Sequence, residues 1–254
     1  QFTGGPMVNG EYEGKTLGAC SDCRYYWQEY RAGELEEEEL DHINESLAPT
    51  AGHCMVMGSA STMAVLSEAL GMMPPGAAAI PATDNRRLAA AQETGRQVVR
   101  LARAETKPSQ IMTREAFENA IRILMAVGGS ANAVIHLIAI AGRLGIELSM
   151  AKFDEVGKET PVVANLRPAG KYQMQEFFHA GGAPAVMKEL SDMLHLDQQT
   201  VTGKTIGENI GDAAVSPTYR EIIYPVDEPL YHDGGLAVLR GNLAPDGALI
   251  KPRA

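Results

Sequence analysis

Long apolar segments are missing from this 254-residue sequence, and so are several other marks of membrane or secreted proteins. No run of about eighteen apolar residues occurs, so we expect no transmembrane helix. The first residues, Gln-Phe-Thr-Gly-Gly-Pro-Met, contain neither a basic region nor an apolar stretch, which argues against a signal peptide. Three cysteines are an odd number, which argues against a disulfide framework. The sequence therefore predicts a protein of the reducing cytoplasm that does not enter membranes.

Aromatic residues are also scarce, at 6 %, and basic residues are outnumbered by acidic ones. The formal net charge of -10 argues against a nucleic-acid partner, because the phosphate backbone would be repelled. The Thr-Gly-Lys-Thr sequence at 202–205 lacks the upstream glycine of a phosphate-binding loop, since Gln198 stands at that position. Hydrophobic residues make up 45 % of the chain, which is ordinary for a globular protein.

Helical periodicity covers most of the chain. Ser59 or Ser61 can cap one helix, Thr83 a long one that ends near residue 103, and Thr113 another that ends near residue 125. The segment 131–143 is apolar almost all round, so we expect a helix that is buried on most sides. Residues 161–166 predict a short buried strand. This alternation of helices and strands predicts an α/β fold, a layered α/β/α domain with a largely parallel sheet.

The pattern changes after about residue 216. Segments 219–226 and 235–241 predict strands, and Ala-Pro-Asp-Gly at 244–247 predicts a turn before a returning strand at 248–251. We therefore place a domain boundary at this point, with one domain over residues 1–216 and a second over residues 217–254.

Cys54 is the strongest candidate for a residue with a chemical role. It lies in a glycine-bracketed loop, Ala-Gly-His-Cys-Met-Val-Met-Gly at 51–58, just before a predicted helix. A helix N-terminus offers backbone N–H groups that stabilise negative charge on sulfur, and thiolates bind iron–sulfur clusters and zinc. The alternative, from the loop alone, is a buried cysteine with a purely structural role.

Two further cysteines, Cys20 and Cys23, form a Cys-x-x-Cys pair. Such a pair can bind zinc or act as a dithiol, but zinc needs two more ligands and no second Cys-x-x-Cys occurs. We therefore favour a non-functional interpretation of the pair. His53 could tune a metal group bound at Cys54 or simply be a satisfied loop histidine. His136, on the predicted buried helix, is expected to be a core histidine.

The segment around Cys54 resembles the dihydroxy-acid and sugar-acid dehydratase family, and the resemblance extends over nearly the whole chain. Its loop and helix, Pro-Thr-Ala-Gly-His-Cys-Met-Val-Met-Gly-Ser-Ala-Ser-Thr-Met at 49–63, are similar to the third cluster-cysteine loop of the family. Further motifs similar to those of the family occur in the same order: Gly-Gly-Pro-Met at 4–7, Phe-Glu-Asn-Ala-Ile at 117–121, Gly-Gly-Ser-Ala-Asn at 128–132, and Gly-Asn-Leu-Ala-Pro-Asp-Gly at 241–247. The wording Ala-Gly-His-Cys-Met is closer to the sugar-acid branch.

The resemblance implies a cofactor and a reaction. Cys54 would be one of three thiolates on a [2Fe–2S] cluster, and Mg²⁺ would bind the substrate carboxylate and its C2 hydroxyl. The reaction would dehydrate a sugar acid, an aldonate such as L-arabinonate, to a 2-keto-3-deoxy acid. Only Cys54 of that machinery lies here; the family's Cys-Asp-Lys motif, its magnesium carboxylates and its catalytic serine are absent from this sequence.

The resemblance also implies an α/β domain followed by the first strands of a β-barrel-like domain, and a homodimer or homotetramer. We expect the chain to be an internal piece of a longer polypeptide, inactive alone. Two other functions stay open. One is a dihydroxy-acid dehydratase of branched-chain amino-acid synthesis, and the other is a non-catalytic structural fragment.

Overall fold

The computed structural model describes residues 1–253, and at Cys20 only the helical backbone. Within that span ten α-helices form most of the regular structure. They are α1 (Ala19–Ala32), α2 (Glu37–Leu47), α3 (Ser59–Ala69), α4 (Asn85–Arg103), α5 (Arg114–Ala126), α6 (Asn132–Arg143), α7 (Met150–Glu159), α8 (Met174–His179), α9 (Gly182–Glu189) and α10 (Ile206–Asn209). Three short 3-10 helices cover Pro108–Gln110, Ser191–Met193 and Pro217–Tyr219. No helix in the described part of the chain combines the length and the apolar character that crossing a bilayer requires.

Helix α5 forms the centre of the main core. Thr113 caps it as predicted, because the Thr113 hydroxyl accepts the Ala116 N–H at 3.1 Å. Phe117, Ile121 and Leu124 follow at helical spacing and are fully buried. Helices α3, α7 and α9 pack around α5. The Cys54 loop leads into α3, so one end of the loop is attached to this core.

The strands form two small antiparallel hairpins. Strands β1 (Gly10–Tyr12) and β2 (Lys15–Leu17) pair near the N-terminus, and β3 (Ala237–Gly241) pairs with β4 (Ala244–Ile250) near the C-terminus. A mixture of helix and sheet is thus confirmed. The layered α/β/α domain with a largely parallel sheet is wrong for the described residues, since both of their sheets are two-stranded and antiparallel.

Residues 161–166 show why the parallel sheet does not form. This segment is buried and extended, as predicted, but it makes only isolated bridges, Val162 with Tyr231, Ala164 with Ile223 and Leu166 with Tyr172. The N–H groups of Val163 and Ala164 both point to the carbonyl of Ala126, at the end of α5. A helix terminus therefore satisfies backbone groups that a neighbouring strand would otherwise pair. The predicted strand at 219–226 likewise begins as a 3-10 turn and then bridges.

The C-terminal hairpin confirms the predicted strand at 235–241 and moves the turn. Residues 242 and 243 form the turn, so the predicted turn at 244–247 lies inside β4. Pairing shifts register between Leu239 and Gly241, and Gly247 has a φ of 112°. That bulged geometry lets a Pro-Asp-Gly sequence sit within a strand. The boundary after residue 216 and the β-barrel-like second domain stay predictions.

Helix α6 is buried on one face only. Ala133, Val134, Leu137 and Ala141 face the core, whereas Ile135 is 68 % exposed. The prediction of a helix buried on most sides is therefore wrong for the described residues, because α6 packs against α3 and α5 from a single side. Its composition is apolar all round, so periodicity alone could not show which face is covered.

Candidate functional site

Cys54 is half-buried in the loop between α2 and α3. Just before it, His53 forms a parallel bridge with Pro6. The His53 N–H donates to the Gly5 carbonyl at 3.0 Å, and the Met7 N–H donates to the His53 carbonyl at 2.8 Å. Gly52 permits this approach, because a Cβ at that position would lie 2.6 Å from the Met7 nitrogen. The residue before the thiol is thus held by the N-terminal segment.

The residues after Cys54 are held by two other parts of the chain. Met55 and Met57 are buried, at 0 % and 1 % exposure. The Met57 N–H donates to the Arg167 carbonyl at 2.9 Å, and the Met174 N–H donates to the Met55 carbonyl at 2.8 Å. Because backbone contacts flank Cys54 on both sides, the structure fixes the path of the loop that carries the thiol.

His53 contributes an unusual buried nitrogen. Its Nδ1 lies 3.2 Å from the Cys54 carbonyl, an arrangement in which Nδ1–H donates. Burial lowers the pKa of His53 and the charge of Arg87 acts in the same direction, although the hydrogen bond to Cys54 opposes both. The neutral ring then leaves a lone pair on Nε2, which is buried and has no hydrogen-bond partner among the described residues. This nitrogen is able to accept a hydrogen bond from a further group.

Helix α3 begins directly after the loop. Gly58 is its N-cap, and no side chain of the described residues accepts a capping bond there. The predicted cap by Ser59 or Ser61 is therefore wrong: the Ser61 hydroxyl donates back to the Val56 carbonyl at 2.9 Å, and Ser59 faces another helix. The N-terminus of α3, where the helix dipole is positive, lies directly after the Cys54 loop. A positive helix end favours negative charge on a nearby sulfur.

Ser59 connects the starts of α3 and α6. Its hydroxyl lies 3.2 Å from the Ser130 hydroxyl and accepts from the Asn132 side-chain amide at 2.7 Å. The Ser130 N–H donates to the Thr62 hydroxyl at 3.0 Å. The Gly-Gly-Ser-Ala-Asn segment at 128–132 is thereby a tight turn, with Gly128 at a φ of 55°, that links two helix ends. These hydrogen bonds give the 128–132 turn a structural role, which is to join the starts of α3 and α6.

The Cys-x-x-Cys pair lies at the start of α1. The side chain of Cys20 falls outside the described residues, so the structure does not test the pair as a unit. Cys23 is half-buried and packs against the small core of Leu17, Ile43 and Leu47. Among the described side chains, no three His, Cys, Asp or Glu residues are grouped so that they could hold a metal ion. Cys23 thus has a packing role in this structure.

A cavity of about 410 Å³ lies near the start of α1. Lys15, Asp22, Arg167 and Glu176 are among its lining residues. Arg167 and Asp22 form an ion pair at 2.8 Å, and the Arg167 carbonyl is the group that holds Met57. Cys54 does not line the cavity, so the cavity and the thiol are separate features of the described chain.

Sequence reasoning placed His136 in the core, which is wrong. His136 is exposed on the outer face of α6. No sequence pattern identified Glu68 and Arg87, two ionisable residues that are buried in the fold, at 2 % and 6 % exposure. Burial of a charge depends on tertiary contacts, and the only sequence signal was that Arg87 follows a helix start near Asp84.

Two family profiles match the chain. The profile for the dihydroxy-acid/6-phosphogluconate dehydratase N-terminal region matches residues 1–209, and the corresponding C-terminal profile matches residues 221–254. The chain belongs to this dehydratase family. The family resemblance of the Cys54 segment is thereby confirmed.

Individual relatives carry the names of two dehydratases. The chain is 48 % identical to an L-arabinonate dehydratase of Rhizobium leguminosarum bv. trifolii, over 99 % of this chain and 44 % of the relative. It is 44 % identical to a dihydroxy-acid dehydratase of Halothermothrix orenii, over 99 % of this chain and 46 % of the relative. A putative dehydratase of Rhizobium meliloti is 43 % identical, over 98 % and 43 % respectively. The chain spans less than half the length of these curated relatives.

Proposed function

We propose that the complete protein dehydrates a sugar acid, with an aldonate such as L-arabinonate as substrate. A proton would leave C2 and the hydroxyl group would leave C3, which together make one water, and the resulting enol would tautomerise to a 2-keto-3-deoxy acid. The observation that carries this proposal is the 48 % identity, over nearly the whole chain, to a relative named L-arabinonate dehydratase. The loop wording around Cys54 supports the same branch of the family.

The described residues fit one ligand position of a [2Fe–2S] site, at Cys54. Cys54 offers a half-buried sulfur on a loop fixed at both ends, and the orphaned Nε2 of His53 lies on the neighbouring residue. When bound, a cluster with an open iron position supplies a Lewis acid for a departing hydroxyl group. The role of this chain would be to hold one thiolate in place, through a loop whose neighbouring residues Met55 and Met57 are buried. The other two thiolates would come from elsewhere in the polypeptide.

The described residues do not build a magnesium site, because no suitable group of carboxylates is present among them. Mg²⁺ therefore stays part of the proposal for the complete protein only, and no step is assigned to it here. We also propose that the complete protein is a cytoplasmic homodimer or homotetramer. Light scattering on the purified protein measures that state directly.

The cluster assignment is tested by anaerobic purification of the complete protein and of Cys54→Ser. We expect iron, sulfide and visible absorption in the unaltered protein and their loss in the variant, because serine replaces a soft thiolate ligand. The double variant Cys20→Ser/Cys23→Ser is the matched control and should keep its iron. An active but colourless and iron-free protein would overturn the proposal, and so would full iron content in Cys54→Ser.

The substrate is tested by measuring water loss from L-arabinonate and from 2,3-dihydroxyisovalerate. We expect a higher kcat/KM with the sugar acid. The second candidate, a dihydroxy-acid dehydratase, is favoured by the 44 % identity to relatives with that name. Equal or reversed preference would support that candidate instead. Absence of water loss from both substrates would support a non-catalytic protein.

A further inference from the structure

Arg87 is a buried cation that binds backbone rather than a carboxylate. It lies in the first turn of α4 and is 6 % exposed. Its guanidinium donates to the carbonyls of Thr3 at 2.5 Å, Ala77 at 3.0 Å and Ile80 at 2.9 Å. Burial of a charge is unfavourable unless its hydrogen bonds are made. The arrangement therefore commits Arg87 to three specific points of the chain.

The N-terminal segment lies directly against this guanidinium. A Cβ at Gly5 would lie 2.4 Å from Arg87 Nε, and Gly5 has a φ of 85°, so the position suits glycine alone. The ring of Phe2 lies over the guanidinium at 5.2 Å from its centroid. Residues 2–5 are thus shaped by the Arg87 side chain.

The same segment holds the residue before Cys54. Gly5 accepts the His53 N–H at 3.0 Å, and Met7 donates to the His53 carbonyl at 2.8 Å. Arg87 is linked to the Cys54 loop through this bridge.

The helix that follows Cys54 is also linked to Arg87. Helix α3 follows Cys54 and carries Glu68, whose carboxylate accepts the N–H groups of Gly76 at 2.8 Å and Ala78 at 2.6 Å. Arg87 binds the carbonyls of Ala77 and Ile80 in the same stretch. The stretch 76–80 therefore joins Glu68 to Arg87. Hydrogen bonds, together with the chain segments between them, therefore connect the residues before Cys54 with the helix after it.

We propose that Arg87 is a positioning residue for the Cys54 thiolate. It acts through the Gly5–His53 contact and sets where the sulfur stands relative to ligands from the rest of the polypeptide. This inference rests on the proposed cluster at Cys54. Loss of Arg87 frees residues 2–7 and lets the thiol move, which weakens binding of the cluster.

The test uses the complete protein, purified and handled anaerobically, with Arg87→Lys and Arg87→Met. The neighbouring Arg86 is the matched control, since it is exposed and paired with Asp84. Iron and sulfide per chain, visible absorption and the EPR spectrum of the reduced cluster are measured, together with the melting temperature of each apoprotein. We expect the Arg87 variants to need about tenfold more iron and sulfide for reconstitution, as other residues that orient metal ligands do. Arg86→Met should match the unaltered protein.

Gly5→Ala gives a second route, because its methyl group displaces the guanidinium without removing it. We expect the same change in the cluster spectrum as in Arg87→Lys. Unchanged occupancy and spectra in folded Arg87→Lys and Gly5→Ala would overturn the positioning role. An iron-free unaltered protein would instead refute the cluster proposal itself, so the two failures are distinguishable.

Discussion

Glu68 should make the stability of this fold depend on pH. Its carboxyl group is 2 % exposed and lies near Arg87 without forming an ion pair. Burial raises its pKa to about 7 from the ordinary value of 4.5, against the opposing N–H groups of Ala78 and Gly76 and the charge of Arg87. The folded state therefore keeps a proton that the unfolded state has already released. This contribution to stability is complete below the unfolded pKa and falls as the pH rises toward the folded pKa.

The size of the effect follows from the two pKa values. At about 1.4 kcal/mol for each pH unit between them, full ionisation destabilises the fold by about 3 kcal/mol. Most of this lies in an accessible range, because the loss between about pH 5.5 and about pH 8 is about 2 kcal/mol. Above about pH 8 the contribution is constant.

The assay compares the complete protein with Glu68→Gln by urea unfolding at the two pH values. Glutamine cannot ionise, so the difference in free energy of unfolding between the two proteins isolates this carboxyl group. We expect the unaltered protein to lose about 2 kcal/mol relative to Glu68→Gln on going to the higher pH. The variant also loses one N–H contact, but that loss is the same at both pH values. Parallel pH profiles for the two proteins would refute the reasoning.

Two further predictions concern the core around α5. Thr113→Ala should lower the free energy of unfolding by about 1 kcal/mol because it removes a helix cap, whereas Ser149→Ala, at an N-cap whose side chain makes no capping bond, should have little effect. Equal losses in urea unfolding would contradict the cap assignment. Ile123→Ala should cost about 2–5 kcal/mol because Ile123 is fully buried, and Ile135→Ala, at 68 % exposure, should change stability by less than about 0.5 kcal/mol. A large loss in Ile135→Ala would show that the outer face of α6 is covered.

Local signals were the part of the fold that the sequence could predict. The Thr113 cap and the strand at 235–241 depend on near neighbours, and both are confirmed. Residues 161–166 were predicted to be extended and buried, which is correct, but their partners are Ala126, Ile223 and Tyr231, which no local pattern reveals. The predicted parallel sheet was wrong because an apolar run does not specify what pairs with it.

The candidate site divides in the same way. The position of Cys54 in a loop before a helix was predictable from glycine spacing and is confirmed. Its support was not predictable, as the adjacent residues Arg86 and Arg87 show. The Arg86 side chain is 62 % exposed, whereas Arg87 is 6 % exposed and binds three carbonyls. Two identical neighbours differ only in which helix face meets the N-terminal segment, and that is a property of the tertiary fold.

The Cys54 loop is held by distant partners, and this has a consequence for the order of biosynthetic events. Arg87 and Thr3 are 84 positions apart, and the Met57 N–H donates to the carbonyl of the distant residue Arg167. Closing such long loops comes late, because chain entropy opposes it until the distant residues exist and collapse. A nascent chain on the ribosome therefore exposes this sulfur without a defined setting. The proposed cluster should accordingly be inserted into the released, folded polypeptide.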